Sequence, residues 1–268
     1  MALLADPHLS QRQENRNGRL FVESGMLFQQ ALQEASARCD LLAIPGDLTN
    51  ASLPGEYQMA QELLAKCPLP QAITPGNHDV KNGGDKLYAE RFGAGAWLRD
   101  FHGWQLAAQD TAGEKLDTPE NRAVVAALDP SRPILFFSHY QFFADEWIRD
   151  ADRVISDAEN ARPLLEKIGQ CRGVAYIGHK NLATEVRRGR LTQMNLPQIV
   201  HFPCGHVEAE VHEDGVWHRF RPIASEALNE YSRRGVEAGL HAPFFCQSAY
   251  RDAHSLSCWN QVVRMAAK

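Results

Sequence analysis

Six short apolar runs recur through the first two-thirds of the chain, and each ends in polar residues. Residues 2–5 lead into Asp6-Pro7-His8, 41–45 into Gly46-Asp47, and 71–75 into Gly76-Asn77-His78-Asp79. Trp104–Gln109 leads into Asp110-Thr111, Ile134–Ser138 into His139, and 174–177 into Gly178-His179. A continuous apolar run of about five residues predicts a strand buried on both faces. Amphipathic stretches lie between the runs. Residues 23–38 place Leu27, Ala31 and Ala35 on one stripe, with Phe28 and Leu32 beside it. Residues 54–66 open with a helix-compatible proline and stack Met59, Ala60, Leu63 and Leu64. Weaker helical patterns cover 119–128 and 160–168. This alternation predicts an α/β core. The segment 81–103 holds Gly83, Gly84, Gly93 and Gly95 beside Trp97 and Phe101. It reads either as a flap over a site or as a long connection.

After residue 182 the texture changes. Residues 184–188, 191–194, 198–202, 207–212 and 216–221 read as successive strands, with Asp214-Gly215 as a hairpin turn. Residues 225–268 are mixed, with room for one or two helices. There is no internal repeat, low-complexity tract or long linker. The expected organisation is one main domain over 1–222 with a C-terminal extension, 223–268, packed on it.

The 268 residues are 44% hydrophobic and 23% charged, enough for a sizeable core. The 28 basic and 33 acidic residues leave a net charge of −5. That disfavours long nucleic acid and anionic membranes, which select basic surfaces, and leaves room for a small phosphorylated ligand. No apolar run reaches the roughly 18 residues of a membrane span. The first residues lack the basic and apolar regions of a signal peptide, so a cytoplasmic protein is expected. The six cysteines, Cys39, Cys67, Cys171, Cys204, Cys246 and Cys258, form no C-x-x-C pair and predict reduced packing residues.

In α/β sheets, ligands sit at the carboxyl ends of strands. The residues there are Asp6, His8, Asp47, Asn77, His78, Asp79, His139 and His179. This nitrogen-and-oxygen set without thiolates suits Mn, Fe or Zn. Asp47 can bridge two ions, imidazoles can serve as terminal ligands, and Asn77 can offer its carbonyl oxygen. Singly, each motif has an ordinary reading as a turn, a loop, a helix cap or a buried histidine. Together they occur in one order, each just after an apolar run.

That order, D-x-H, G-D, G-N-H-D, H and G-H-x-x, resembles the calcineurin-like metallophosphoesterase superfamily. The matching stretches are Asp6-Pro7-His8, Gly46-Asp47, Gly76-Asn77-His78-Asp79, Ser138-His139 and Gly178-His179-Lys180-Asn181, and the resemblance spans about residues 1–222. It implies a four-layer α-β-β-α sandwich with two mixed sheets and a dinuclear metal centre. By the same resemblance one ion takes Asp6, His8 and Asp47, and the other takes Asp47, Asn77, His139 and His179. His78 then lies beside the centre to assist the leaving group, and Asp79 orients His78. The family motif ends in a histidine where this chain has Asn181. Three readings follow: Asn181 is an oxygen ligand, or it holds a water, or it leaves the first ion loosely bound. Oxygen donors favour Mn or Fe over Zn. A second Gly-His, Gly205-His206, begins an alternating run and reads as a hairpin strand, and His102, His201, His212, His218, His241 and His254 are read as ordinary.

The resemblance implies a phosphoester hydrolase dependent on two divalent ions, with a phosphodiester of a small molecule such as a nucleotide as the expected substrate. Phosphomonoesters and nucleotide-sugar pyrophosphates are alternatives, and a catalytically weakened scaffold is an alternative of another class. Arg12 and Arg16, in a loop that also carries Arg19, and Tyr140, next to His139, are the candidate substrate-binding residues; the other reading of the loop is a solvated surface. A small phosphorylated substrate is expected as partner, and a homo-oligomer is compatible.

Overall fold

The computed structural model describes residues 1–144, 155–181, 184–238 and 259–265. Cys246, Cys258, His241 and His254 lie outside the described residues.

Two six-stranded sheets face each other. In the first, β1 (Ala2–Leu3), β2 (Leu42–Pro45) and β3 (Gln71–Thr74) run parallel. The hairpin β10 (Gly205–His212) and β11 (Gly215–Pro222) joins β1 antiparallel, and β12 (Val262–Arg264) closes that edge. The second sheet has β5 (Trp104–Gln109), β6 (Ile134–Ser138), β7 (Gly173–Ile177) and β9 (Leu191–Asn195) in parallel. Antiparallel β4 (Trp97–Phe101) and β8 (Glu185–Arg188) flank them.

Side-chain alternation along each strand explains the layering. Leu3, Ala5, Ala43 and Ala72 face Leu106, Leu135, Phe137, Val174 and Tyr176 across the gap between the sheets. Ala2, Leu4, Leu42 and Ile44 point outward onto α1 (Ser24–Arg38) and α2 (Pro54–Leu64), through Leu27, Phe28, Ala31, Ala60 and Leu63. Ile134, Phe136, Ala175 and Ile177 point to the opposite side, towards α4 (Pro119–Ala126) and α5 (Arg162–Gln170). The result is the expected α-β-β-α sandwich. No helix among the described residues is long and apolar enough to cross a membrane, and Cys39, Cys67, Cys171 and Cys204 are free thiols.

Three local expectations need correction. The segment 81–103 is structured: a 3-10 turn (Lys81–Gly83) feeds α3 (Gly84–Phe92), and β4 follows. Its helical signal is weak because α3 buries only Gly84 and Tyr88. Residues 198–202 are a turn rather than a strand. Only Gln198 pairs, with Ala5, while Ile199 and Val200 both sink into the cluster under α1. The hairpin turn itself is Glu213-Asp214, since His212 already pairs with Gly215. In the C-terminal stretch, α6 (Glu226–Ala238) packs on the loop before Leu20, with Ser232 Oγ donating to the Gly18 carbonyl and accepting from Phe202 N–H.

Candidate metal centre

The chain ends of β1, β2, β3, β6 and β7 deliver their polar residues to one place. His139 Nε2 lies 3.4 Å from Asp47 Oδ1, and His8 Nε2 lies 3.6 Å from Asp47 Oδ2. His8 Nε2 is 4.0 Å from Asp6 Oδ1. Two clusters result, His8–Asp47–His78 and Asp47–His139–His179, in each of which one ligand atom per residue lies within 4.8 Å of the others. Asp47 belongs to both.

The backbone is bent to achieve this. Asp6, His8, Asp47, His179 and Asn181 all have positive φ, between 44° and 65°. Non-glycine residues rarely adopt this region, and such outliers cluster at functional sites. Two glycines allow the loops to approach. Gly46 has φ 91°, with the His139 ring against the position of a side chain. At Gly76 a Cβ would collide with Asp47.

Hydrogen bonds fix the rings. His139 Nδ1 is 3.1 Å from the Pro45 carbonyl. A carbonyl can only accept, so Nδ1 carries the hydrogen and Nε2 is left as the ligand nitrogen of the neutral ring. That Nε2 faces Asn77 Oδ1 at 3.0 Å and His179 Nδ1 at 3.2 Å. Both ring nitrogens of His8 are buried without a hydrogen-bond partner. Convergent acceptors with too few protons among them are the arrangement a cation satisfies, and the donor set fits a pair of divalent ions sharing Asp47.

The titration of these groups reflects the same crowding. Burial raises Asp6 above the usual carboxylate range, and the neighbouring Asp47 adds to the rise. Burial also opposes ionisation of Asp47, but His139, His8 and His78 outweigh it and hold Asp47 well below its ordinary value. Burial lowers His8, assisted by His78. On His139 burial is outweighed by Asp47 and Asp6, which raise the imidazole. A divalent ion held by His139 would take the place of that proton.

Of the sequence-predicted residues, Asp6, His8, Asp47, Asn77, His78, His139 and His179 converge. Four predicted roles do not match the geometry. Asp79 does not reach His78; its carboxylate accepts from Leu48 N–H (3.1 Å), Thr49 N–H (2.7 Å), Gly76 N–H (2.9 Å) and Thr49 Oγ1 (2.9 Å). It therefore ties the loop after β2 to the loop after β3. His78 is oriented instead by the Asn50 carbonyl, 2.5 Å from Nδ1. Asn181 commits its amide to the 198–202 turn: Oδ1 accepts from Gln198 N–H (2.8 Å), and Nδ2 donates to the Phe202 carbonyl (2.7 Å) and to His201 Nδ1 (3.1 Å). Arg12 and Arg16 stay outside. Arg12 lies over the Phe21 ring at 5.5 Å, and Arg16 is 3.4 Å from Glu14 with its side chain 62% exposed. Tyr140 stacks on His179, ring centres 4.4 Å apart, and its hydroxyl donates to Glu114.

The cation that the loop does deliver is Arg19. Its Nε is buried without a hydrogen-bond partner, and its charge acts on Asp6, Asp47, His8 and His78. Spacing could not separate it from Arg12 and Arg16. The usable signal was its place before the Leu20-Phe21 pair, which anchors the loop through Leu20 N–H on the Val200 carbonyl (2.8 Å).

The calcineurin-like phosphoesterase family model matches residues 1–189. The chain belongs to the calcineurin-like phosphoesterase family. Among its relatives is a glycerophosphodiester phosphodiesterase, GpdQ, of Enterobacter lignolyticus (strain SCF1), 30% identical over 82 residues, which is 30% of this chain and 30% of that enzyme. A dimetal phosphatase from Danio rerio shares the fold with a TM-score of 0.66 at 13% identity, over 84% of this chain and 96% of that one. The purple acid phosphatase PPD1 from yellow lupin (Lupinus luteus) aligns with a TM-score of 0.56 at 12% identity, over 82% and 51% of the two chains. At such identities these structures speak for the fold of this calcineurin-like phosphoesterase alone.

Proposed function

We propose that this calcineurin-like phosphoesterase is a dinuclear metal-dependent phosphodiesterase acting on a small phosphorylated molecule such as a nucleotide. The observation that carries the reading is Asp47, shared between two imidazole clusters and held between His8 and His139. The choice of a diester is supported by the activity named for the Enterobacter relative.

Asp6, His8 and Asp47 would hold one ion, and Asp47, Asn77, His139 and His179 the other. When bound, the ions supply Lewis-acid charge and lower the pKa of water for attack on phosphorus. Mn or Fe is favoured over Zn, because Asn181 brings no imidazole and the first site is rich in oxygen. The remaining work falls to the chain itself. His78 donates Nδ1–H to the Asn50 carbonyl, so its other nitrogen is the one that serves the reaction. Burial keeps this ring's pKa low, with Lys81 and Arg19 adding to the effect, while Asp47 and the Asn50 carbonyl oppose it. The free nitrogen of His78 is the one that would give a hydrogen bond or a proton to the departing alkoxide. Arg19, with its buried and unpartnered Nε, is the guanidinium placed to bind a non-bridging phosphate oxygen.

The test is hydrolysis of bis-p-nitrophenyl phosphate beside p-nitrophenyl phosphate in Mn²⁺, with His78→Ala as the blank. Diester hydrolysis that disappears in the variant is expected. Preference for the monoester would move the assignment to a phosphomonoesterase, and unchanged activity in the variant would remove His78 from the mechanism.

A further inference from the structure

The first ion's site lacks an imidazole where the motif ends, and Asn181 is not free to replace it. The residue that reaches the site instead is Gln198. It forms a parallel bridge with Ala5, the residue before Asp6, and Ile199 N–H bonds the Ala5 carbonyl at 3.1 Å. This register aims the Gln198 side chain at Asp6: Nε2 donates to Asp6 Oδ1 at 3.2 Å and to the His179 carbonyl at 3.0 Å. With both partners acceptors, the nitrogen end of the amide is fixed, and so is the oxygen end. Gln198 Oε1 is buried and has no hydrogen-bond partner. A buried amide oxygen left unpaired is costly, and in a native site it requires a donor or a cation. Asp6 and the two unpartnered nitrogens of His8 stand in the same region.

We propose that Gln198 is an oxygen ligand of the first ion, standing in for the motif's final histidine. Asn181 is then a positioning residue. It accepts the Gln198 N–H and, through Phe202 and His201, holds the turn that carries the glutamine. His201 in turn meets the Asn17 carbonyl at 3.2 Å, which links the same turn to the loop of Arg19. An amide oxygen is a hard, neutral donor, so it retains an ion such as Mn²⁺ while giving up the affinity for Zn²⁺ that a fourth nitrogen would add. This inference rests on the metal-dependent reading above.

The experiment titrates the metal-stripped full chain with Mn²⁺ by calorimetry, and separately with Co²⁺ while following visible absorption. It uses wild type, Gln198→Leu and Gln198→Glu. In Gln198→Leu the first site is expected to weaken by about ten-fold or more while the second keeps its affinity. The Co²⁺ bands of the first site should change in intensity, because one donor has left. Gln198→Glu loses the N–H that fixes the amide but offers an anionic oxygen that a bound ion would draw in, so it should hold the first ion more tightly than Gln198→Leu; it also serves if the leucine variant does not fold. Wild-type affinity in Gln198→Leu would overturn the assignment. So would weaker binding with unchanged Co²⁺ bands, since the amide would then act only by hydrogen bonding to Asp6. Gln198→Glu behaving like the leucine variant would overturn it as well. Failure of the wild type to bind any ion would instead sink the metal-dependent reading itself.

Discussion

Replacing Asp79 by alanine separates two roles for this carboxylate. In the structure it accepts three backbone N–H groups and the Thr49 hydroxyl, all buried. Alanine leaves those donors without a partner, at about 1–3 kcal/mol for each unsatisfied group. Against that stands the cost of burying the carboxyl. Burial, followed by the nearby Asp47, raises its pKa from 3.8 to about 6. That rise corresponds to about 3 kcal/mol against the ionised form. Four such donors, less that penalty, leave a net loss for Asp79→Ala at pH 7.5 of roughly 1–9 kcal/mol. Urea unfolding of wild type and variant measures it. Ion affinity should fall too, because the carboxylate joins the loop of Asp47 to the loop of Asn77. Asp79→Asn should fall between the two, since one of its two heads is a donor facing donors. If Asp79→Ala unfolds within about 1 kcal/mol of wild type yet loses turnover as His78→Ala does, the tie between the loops is wrong. Asp79 would then act on His78 after all.

Three further outcomes follow from the geometry. His78→Ala should retain both ions while turnover falls by about 10²–10⁴-fold, the usual scale for a lost proton donor; loss of an ion would reassign His78 as a ligand. Arg19→Ala should raise KM for a phosphate ester more than it lowers kcat, while Arg12→Ala and Arg16→Ala stay near wild type; the reverse ranking would restore the outer arginines. Burial lowers His206 and His218 to about 4, so the unfolded chain binds protons before the folded one as pH falls from 6.5 to 4. Stability should drop across that window by up to about 3 kcal/mol per histidine. In urea titrations at stepped pH, His218→Gln should flatten the slope, and an unchanged slope would refute the role.

The strand ends and their order were legible because they depend on local chemistry. Buried parallel strands are short apolar runs, and polar residues just after them share one edge. Two features were not local. Asp79 follows His78 in sequence, which suggests a pair, yet its partners, Leu48 and Thr49, come from 30 residues away. No pattern in the chain announces that contact. Asn181 and Gln198 illustrate the same limit: the motif points to Asn181, but the turn of residues 198–202 takes up its amide and presents a different one to Asp6. The same turn carries a strand-like pattern because Ile199 and Val200 are apolar for packing under α1 rather than for pairing in a sheet. Segment 81–103 reads as a flap or connection for the opposite reason: α3 buries so little that its sequence lacks a strong helical stripe.

The proposed phosphodiesterase centre needs two ions that share Asp47. The most direct measurement is hydrolysis of bis-p-nitrophenyl phosphate by the metal-stripped chain as Mn²⁺ is added back, with bound ion counted in the same samples. No turnover is expected in the stripped protein, with a plateau once two ions are bound per chain. Turnover that survives stripping would contradict the proposed centre, as would two bound ions with no hydrolysis of diester or monoester in Mn, Fe or Zn.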